Sequence, residues 1–85
     1  MRSVALDLGS KIAFCEIIDG EVTRRATVRY LHELERELGP NTQPARVAFE
    51  ACREGWYVHK VLSEWGHEPL MIDTTRVRQL GVGQH

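Results

Sequence analysis

Eighty-five residues, 42% of them apolar and 27% charged, suffice for one small globular domain and no more. A chain this short buries only about 60–65% of its unfolded surface, which leaves a thin margin of stability. The net charge of −1 argues against a free-standing basic nucleic-acid binder, and no apolar run approaches the roughly 20 residues of a membrane span.

In chain order, residues 3–8 form a short apolar run broken only by Asp7 and closed by Gly9-Ser10, which predicts a buried first strand. Residues 11–18 read as a second strand. Asp19-Gly20 then supplies the strongest short hairpin signal, because a type I′ turn needs positive φ at both central positions. From Glu21 to Val28, Val22, Arg24, Ala26 and Val28 alternate with Thr23, Arg25 and Thr27, which predicts a third strand at a sheet edge. The period then changes. Leu31, Leu34 and Leu38 fall on one helical face over residues 30–38, and Gly39-Pro40 stops that helix. Residues 45–50 predict a fourth strand carrying Glu50. Val58, Val61, Leu62 and Trp65 mark a second amphipathic helix ended by Gly66, and residues 68–73 a fifth strand. Residues 74–85 carry little pattern and are expected to fray. The order β-β-β-α-β-α-β implies a meander followed by crossover-linked parallel strands, hence a mixed α/β sheet.

Two carboxylates stand out in this arrangement. Asp7 and Glu50 each end an otherwise apolar run, where ionised groups are costly unless a cation or hydrogen bonds compensate them. Parallel neighbouring strands would carry both to one carboxyl edge, the place where α/β sheets bind ligands. Magnesium takes oxygen ligands, often one or two carboxylates plus water and substrate phosphates. Plainer roles stand beside this one. Asp7 can accept backbone N–H groups in a turn, and Glu50 can face the amino end of the following helix. Asp73, followed by Thr74-Thr75, is read as a cap. Ser10 is within reach of a phosphate but is read first as a loop stabiliser, and Trp56-Tyr57 are read as core packing in preference to stacking on a base. His32, His59, His67 and His85 show no metal-ligand spacing. Cys15 and Cys52 follow no signal peptide, so both are read as reduced thiols of a cytoplasmic protein, Cys15 buried in its strand.

With those residues in place, the chain resembles the amino-terminal part of a family of bacterial insertion-sequence transposases. The matching stretches are Leu6-Asp7-Leu8-Gly9-Ser10-Lys11, Asp19-Gly20-Glu21-Val22 and Val47-Ala48-Phe49-Glu50-Ala51-Cys52-Arg53-Glu54-Gly55-Trp56-Tyr57. The last continues through Trp65-Gly66-His67-Glu68 to Met71-Ile72-Asp73-Thr74-Thr75-Arg76-Val77. The resemblance implies a DEDD-type, Holliday-junction-resolvase-like domain of the RNase H fold. Asp7 and Glu50 would be its first two acids, binding Mg²⁺ or Mn²⁺ and acting on DNA. It also implies a structured guide RNA, and a separate serine domain that this sequence does not contain. The family's last two acids, on a final helix, are missing too, since no Asp or Glu follows Asp73. The expectation is therefore a partial RNase H-like domain over residues 1–85, lacking the final helix, with apolar surface exposed on one sheet face and no cleavage activity by itself.

Two other readings share these residues. Asp7-Leu8-Gly9-Ser10-Lys11 with the hairpin also resembles the first phosphate loop of sugar kinases and related ATPases, which need a second such loop and lobe. The other is a non-enzymatic module that pairs with a full-length transposase, with another copy of itself, or with RNA. Its contacts would come from Arg24, Arg25, Arg29 and Arg76, with Ser10 and Lys11 at the first loop.

Overall fold

The computed structural model describes residues 2–73. Strand β1 runs over Arg2–Leu8, β2 over Ile12–Ile18, β3 over Glu21–Val28, β4 over Ala45–Glu50 and β5 over Glu68–Ile72. They form one five-stranded mixed sheet in the order β3-β2-β1-β4-β5. β2 is antiparallel to both β1 and β3, while β1, β4 and β5 are mutually parallel. The expected mixed α/β architecture is therefore present, with β3 at an edge. The fraying expected of residues 74–85, and with it Arg76, lies outside the described residues.

Alternation along β1 decides which way everything faces. Arg2, Val4 and Leu6 are buried while Ser3, Ala5 and Asp7 are exposed, the two-residue period of a half-covered strand. The buried side joins Phe14, Val47 and Phe49 to Leu31, Leu34, Leu38, Val58 and Leu62 in a single core. Among the described residues all helical segments thus lie on one face, giving two layers. The other face is left open by the described residues. Its middle row reads Arg25, Cys15, Ala5, Ala48 and Leu70 across the five strands. Cys15 lies on this side, half-buried rather than buried, because register places it opposite Ala5.

Local chemistry explains the turns. Asp19 and Gly20 take φ of 52° and 82°, the two positive values a type I′ turn requires. The β2–β3 pairing shifts register between Glu16 and Ile17, which places Val22 opposite Ile17 and Arg24 opposite Glu16 and leaves Thr23 as the extra residue of β3. The extra residue breaks the simple alternation expected of β3, so Val22 shares the open face and Arg24 the helical one.

The segment expected as one helix over residues 30–38 has two parts, a 3₁₀ turn at Leu31–Leu34 and a single α turn, α1, at Glu35–Leu38. A 3₁₀ turn stacks residues three apart, which sets Leu31 over Leu34 toward the core, and α geometry then brings Leu38 in four residues later. Glu33 fixes its start, with its Oε1 accepting the backbone N–H groups of Arg29 at 3.1 Å and Tyr30 at 2.8 Å. The second helix, α2, spans Gly55–Glu64. Gly66 ends it with φ 89°, and its N–H and that of His67 return to the carbonyls of Ser63 and Leu62, both at 3.0 Å. This pair of bonds is a Schellman closure, which needs a residue at ease in the left-handed region.

Two buried polar side chains tie the layers together. Arg2 donates from Nε to Glu16, from Nη1 to the Gln43 carbonyl at 2.9 Å, and from Nη2 to the Glu37 carbonyl. His67 Nδ1 accepts the Ala45 N–H at 3.0 Å, so its Nε2 carries the proton donated to the Leu38 carbonyl at 2.6 Å. The imidazole therefore bridges the end of α1 and the start of β4. Nothing in the spacing of the histidines foretells this role.

Two consequences are measurable. His67→Ala orphans a buried N–H and a buried carbonyl, and should lower unfolding stability by roughly 2–3 kcal/mol in a urea titration. The Arg2 guanidinium, with smaller help from the Thr23 hydroxyl, holds Glu16 below the usual carboxylate range. A depressed folded-state value means the stabilisation is complete above the unfolded value of about 4.3 and is lost as pH falls through the lower, folded one. Stability should thus drop by about 1 kcal/mol more in the native chain than in Glu16→Gln on acidification below about pH 4, the figure being small because solvent reaches part of the carboxylate.

Candidate functional site

Asp7 and Glu50 occupy the row nearest the carboxyl ends of β1 and β4. The β1–β4 register runs Arg2↔Ala45 through Leu6↔Phe49. Continued by one residue, that register sets Asp7 level with Glu50, on strands about 4.8 Å apart. Both are exposed and both lie on the open face, since their neighbours Leu6 and Phe49 are buried. The row continues as Thr27 and Ala13 on one side and Ile72 on the other. Glu50 is held on a paired backbone, for it registers with Ile72 and the next N–H, from Ala51, donates to the Ile72 carbonyl at 2.7 Å.

The β1–β2 loop lies at the same edge. Gly9 N–H donates to the Lys11 carbonyl at 3.0 Å, which leaves Ser10 at the tip, and both Ser10 and Lys11 are exposed. The structure therefore brings Asp7, Glu50, Ser10 and Lys11 to one edge of the sheet. It does not bring Arg24 and Arg25 together. Arg24 lies on the helical side, where its Nη2 meets Glu37 Oε1 at 2.9 Å, while Arg25 stands opposite Cys15 on the open face. A joint arginine surface on β3 is thus split by the pleat. Asp73 directly follows β5, exposed, at the same end of the sheet.

Trp56 and Tyr57 correct the expectation of core packing, being 72% and 63% exposed. In α2 the inward stripe is Val58 and Leu62, and Trp56 and Tyr57 immediately precede it on the outward side. Tyr30 is similarly exposed, its ring stacked on His32 at 5.7 Å. The sequence signal was present for Trp56, which falls off the three-and-four spacing set by Val58, Val61, Leu62 and Trp65; Tyr57, four residues before Val61, shares that spacing, so its exposure was not legible from periodicity.

As a ligand set, the edge offers hard carboxylate oxygens on rigid strands, which suits one oxygen-loving divalent cation completed by water. Among the described residues no group of three or more His, Cys, Asp or Glu converges. Two carboxylates therefore fit a single weakly held ion better than a pair of ions. Also among the described residues, no helix is long and apolar enough to cross a membrane. Comparisons with family models, curated proteins and solved structures found nothing that matches this chain.

A structural carboxylate and a recruited one differ in what their removal does. Asp7→Asn takes one of two like charges from adjacent positions of an exposed row. It should leave unfolding stability unchanged or raise it by up to about 0.5 kcal/mol, measured by urea denaturation without divalent ions.

Proposed function

We propose that this chain is a metal-binding, RNase H-like domain of the DEDD transposase type, whose Asp7 and Glu50 hold Mg²⁺ or Mn²⁺ against a DNA phosphodiester. The observation that carries the proposal is the placement of both acids side by side on one face of neighbouring parallel strands. Support comes from the strand order β3-β2-β1-β4-β5, in which an antiparallel hairpin precedes the parallel pair bearing the two acids. Exposed side chains on a rigid sheet edge suit contact with a long, charged polymer better than an enclosed small-molecule site does.

In this reading each residue has a limited task. The bound cation would neutralise charge on a non-bridging phosphate oxygen. Asp7 and Glu50 would position it, Ser10 would donate a hydroxyl hydrogen bond to phosphate, and Lys11 would add a positive charge at the same loop. Clamping both the attacking and the leaving oxygen takes two ions. Asp7 and Glu50 by themselves fall short of that, so the chain is expected to bind DNA and metal without cutting. A structured RNA and a second protein domain are the partners the reading implies.

The test is a Mg²⁺ and Mn²⁺ titration followed by NMR, with Glu50→Ala and Asp7→Asn in parallel. Shifts or paramagnetic broadening confined to residues near 7–11 and 50, saturating in the millimolar range and lost in both variants, are expected. A folded chain that shows no such localised response would overturn the metal-binding reading.

A further inference from the structure

A second feature of the same sheet edge lies on the opposite, helical side. The end of β1, the segment after β3 and the start of α2 enclose a cleft of about 210 Å³. Its floor is apolar, formed by Leu8, Ile12, Leu31 and Val58, and its rim carries Tyr30, Tyr57, Arg29 and Glu54. That volume accommodates one flat heterocycle.

The rim is unusual in its polarity. Tyr30 and Tyr57 are 58% and 63% exposed, held outside the core, Tyr30 with one ring face stacked on His32 and the other left for a ligand. Arg29 and Glu54, opposite charges on one cleft, do not pair with each other, and neither side chain forms an ion pair among the described residues. Arg29 offers only donors and Glu54 only acceptors. The wall bearing Arg29 and Tyr30 is not slack, because Glu33 Oε1 holds both of their backbone N–H groups. Glu54 is fixed at the start of α2, where its carbonyl accepts the Val58 N–H at 3.1 Å. Thus the polar groups are presented by anchored backbone on both sides of an apolar slot.

We infer that this cleft binds an unpaired guanine, stacked between the Tyr30 and Tyr57 side chains and read by Glu54. Among the bases only guanine sets a ring N–H beside an exocyclic amino group, the pair of donors a carboxylate accepts with both oxygens. Arg29 then meets the phosphate attached to the same nucleotide. The aromatic faces supply affinity for any base, and Glu54 supplies the preference. The inference requires neither Asp7, Glu50 nor a divalent ion, so it stands apart from the metal reading.

Free guanine nucleotide and guanine within a single strand share this chemistry, and the experiment separates them. The full chain, in EDTA, is titrated with GMP, with CMP, and with a short oligothymidine carrying one central guanine, following backbone amide shifts. Expected are shifts at Gly9, Tyr30 and Tyr57 with GMP, and at least fivefold weaker binding of CMP. Tyr57→Leu and Glu54→Gln should each weaken GMP about tenfold, the latter while also removing the preference over CMP. Both positions are exposed, and retained amide dispersion verifies their folds. Tighter binding of the oligonucleotide than of GMP identifies a strand as the source, and equal binding a free nucleotide. Absence of shifts at the cleft with either ligand overturns the inference, as does GMP binding indifferent to both substitutions.

Discussion

The arrangement of the described residues depends on their covering β1 on one side only. With strands on both flanks, its backbone hydrogen bonds are fully used, and its side chains must divide between the two faces. Leu6 enters the core, so Asp7 cannot. Because β4 is parallel and in direct register, the same rule puts Phe49 inside and Glu50 outside. The carboxylates meet through pleat and register, without any contact between them being required.

The two ends of the parallel strands are chemically distinct. At the amino end, Arg2 and His67 use buried charge and imidazole hydrogen bonds to join β1, β2, β4, α1 and the loop before β4. Each donor and acceptor there has a partner, as a dry environment demands. At the carboxyl end, Asp7, Ser10, Lys11 and Glu50 stand in solvent, with Tyr30, Tyr57, Arg29 and Glu54 on the other side of the same edge. Polar groups at the first end hold the fold. Those at the second stand at the surface, where a ligand can reach them.

The open face adds a consequence for partners. Its central row places the small side chains of Cys15, Ala5 and Ala48 between Arg25 and Leu70, and Leu70 and Ile72 are 40% and 44% exposed. Among the described residues nothing covers this apolar surface. The bulge in the β2–β3 hairpin has a related effect, since turning Val22 to this face and Arg24 away from it leaves Arg25 as the cationic side chain of the β3 flank.

Much of this was legible in the residues themselves. Short apolar or alternating runs located all five strands to within a residue or two, the Asp19-Gly20 pair specified its turn, and Val58 with Leu62 marked the buried stripe of α2, because each signal is local and set by backbone geometry. Asp7 and Glu50 were also evident as charges at the ends of apolar strands. Other features had no local signature. The bulge at Glu16/Ile17 is a mismatch between two strands. The buried roles of Arg2 and His67 depend on carbonyls 29 to 41 residues away in sequence. The cleft joins residues from β1, β2, the segment after β3 and α2. Sequence alone determined the elements and the candidate acids, since propensity and periodicity act over a few neighbours. Strand order, register and the choice of covered face were decided only by tertiary packing, and these are what set two distant carboxylates in one row.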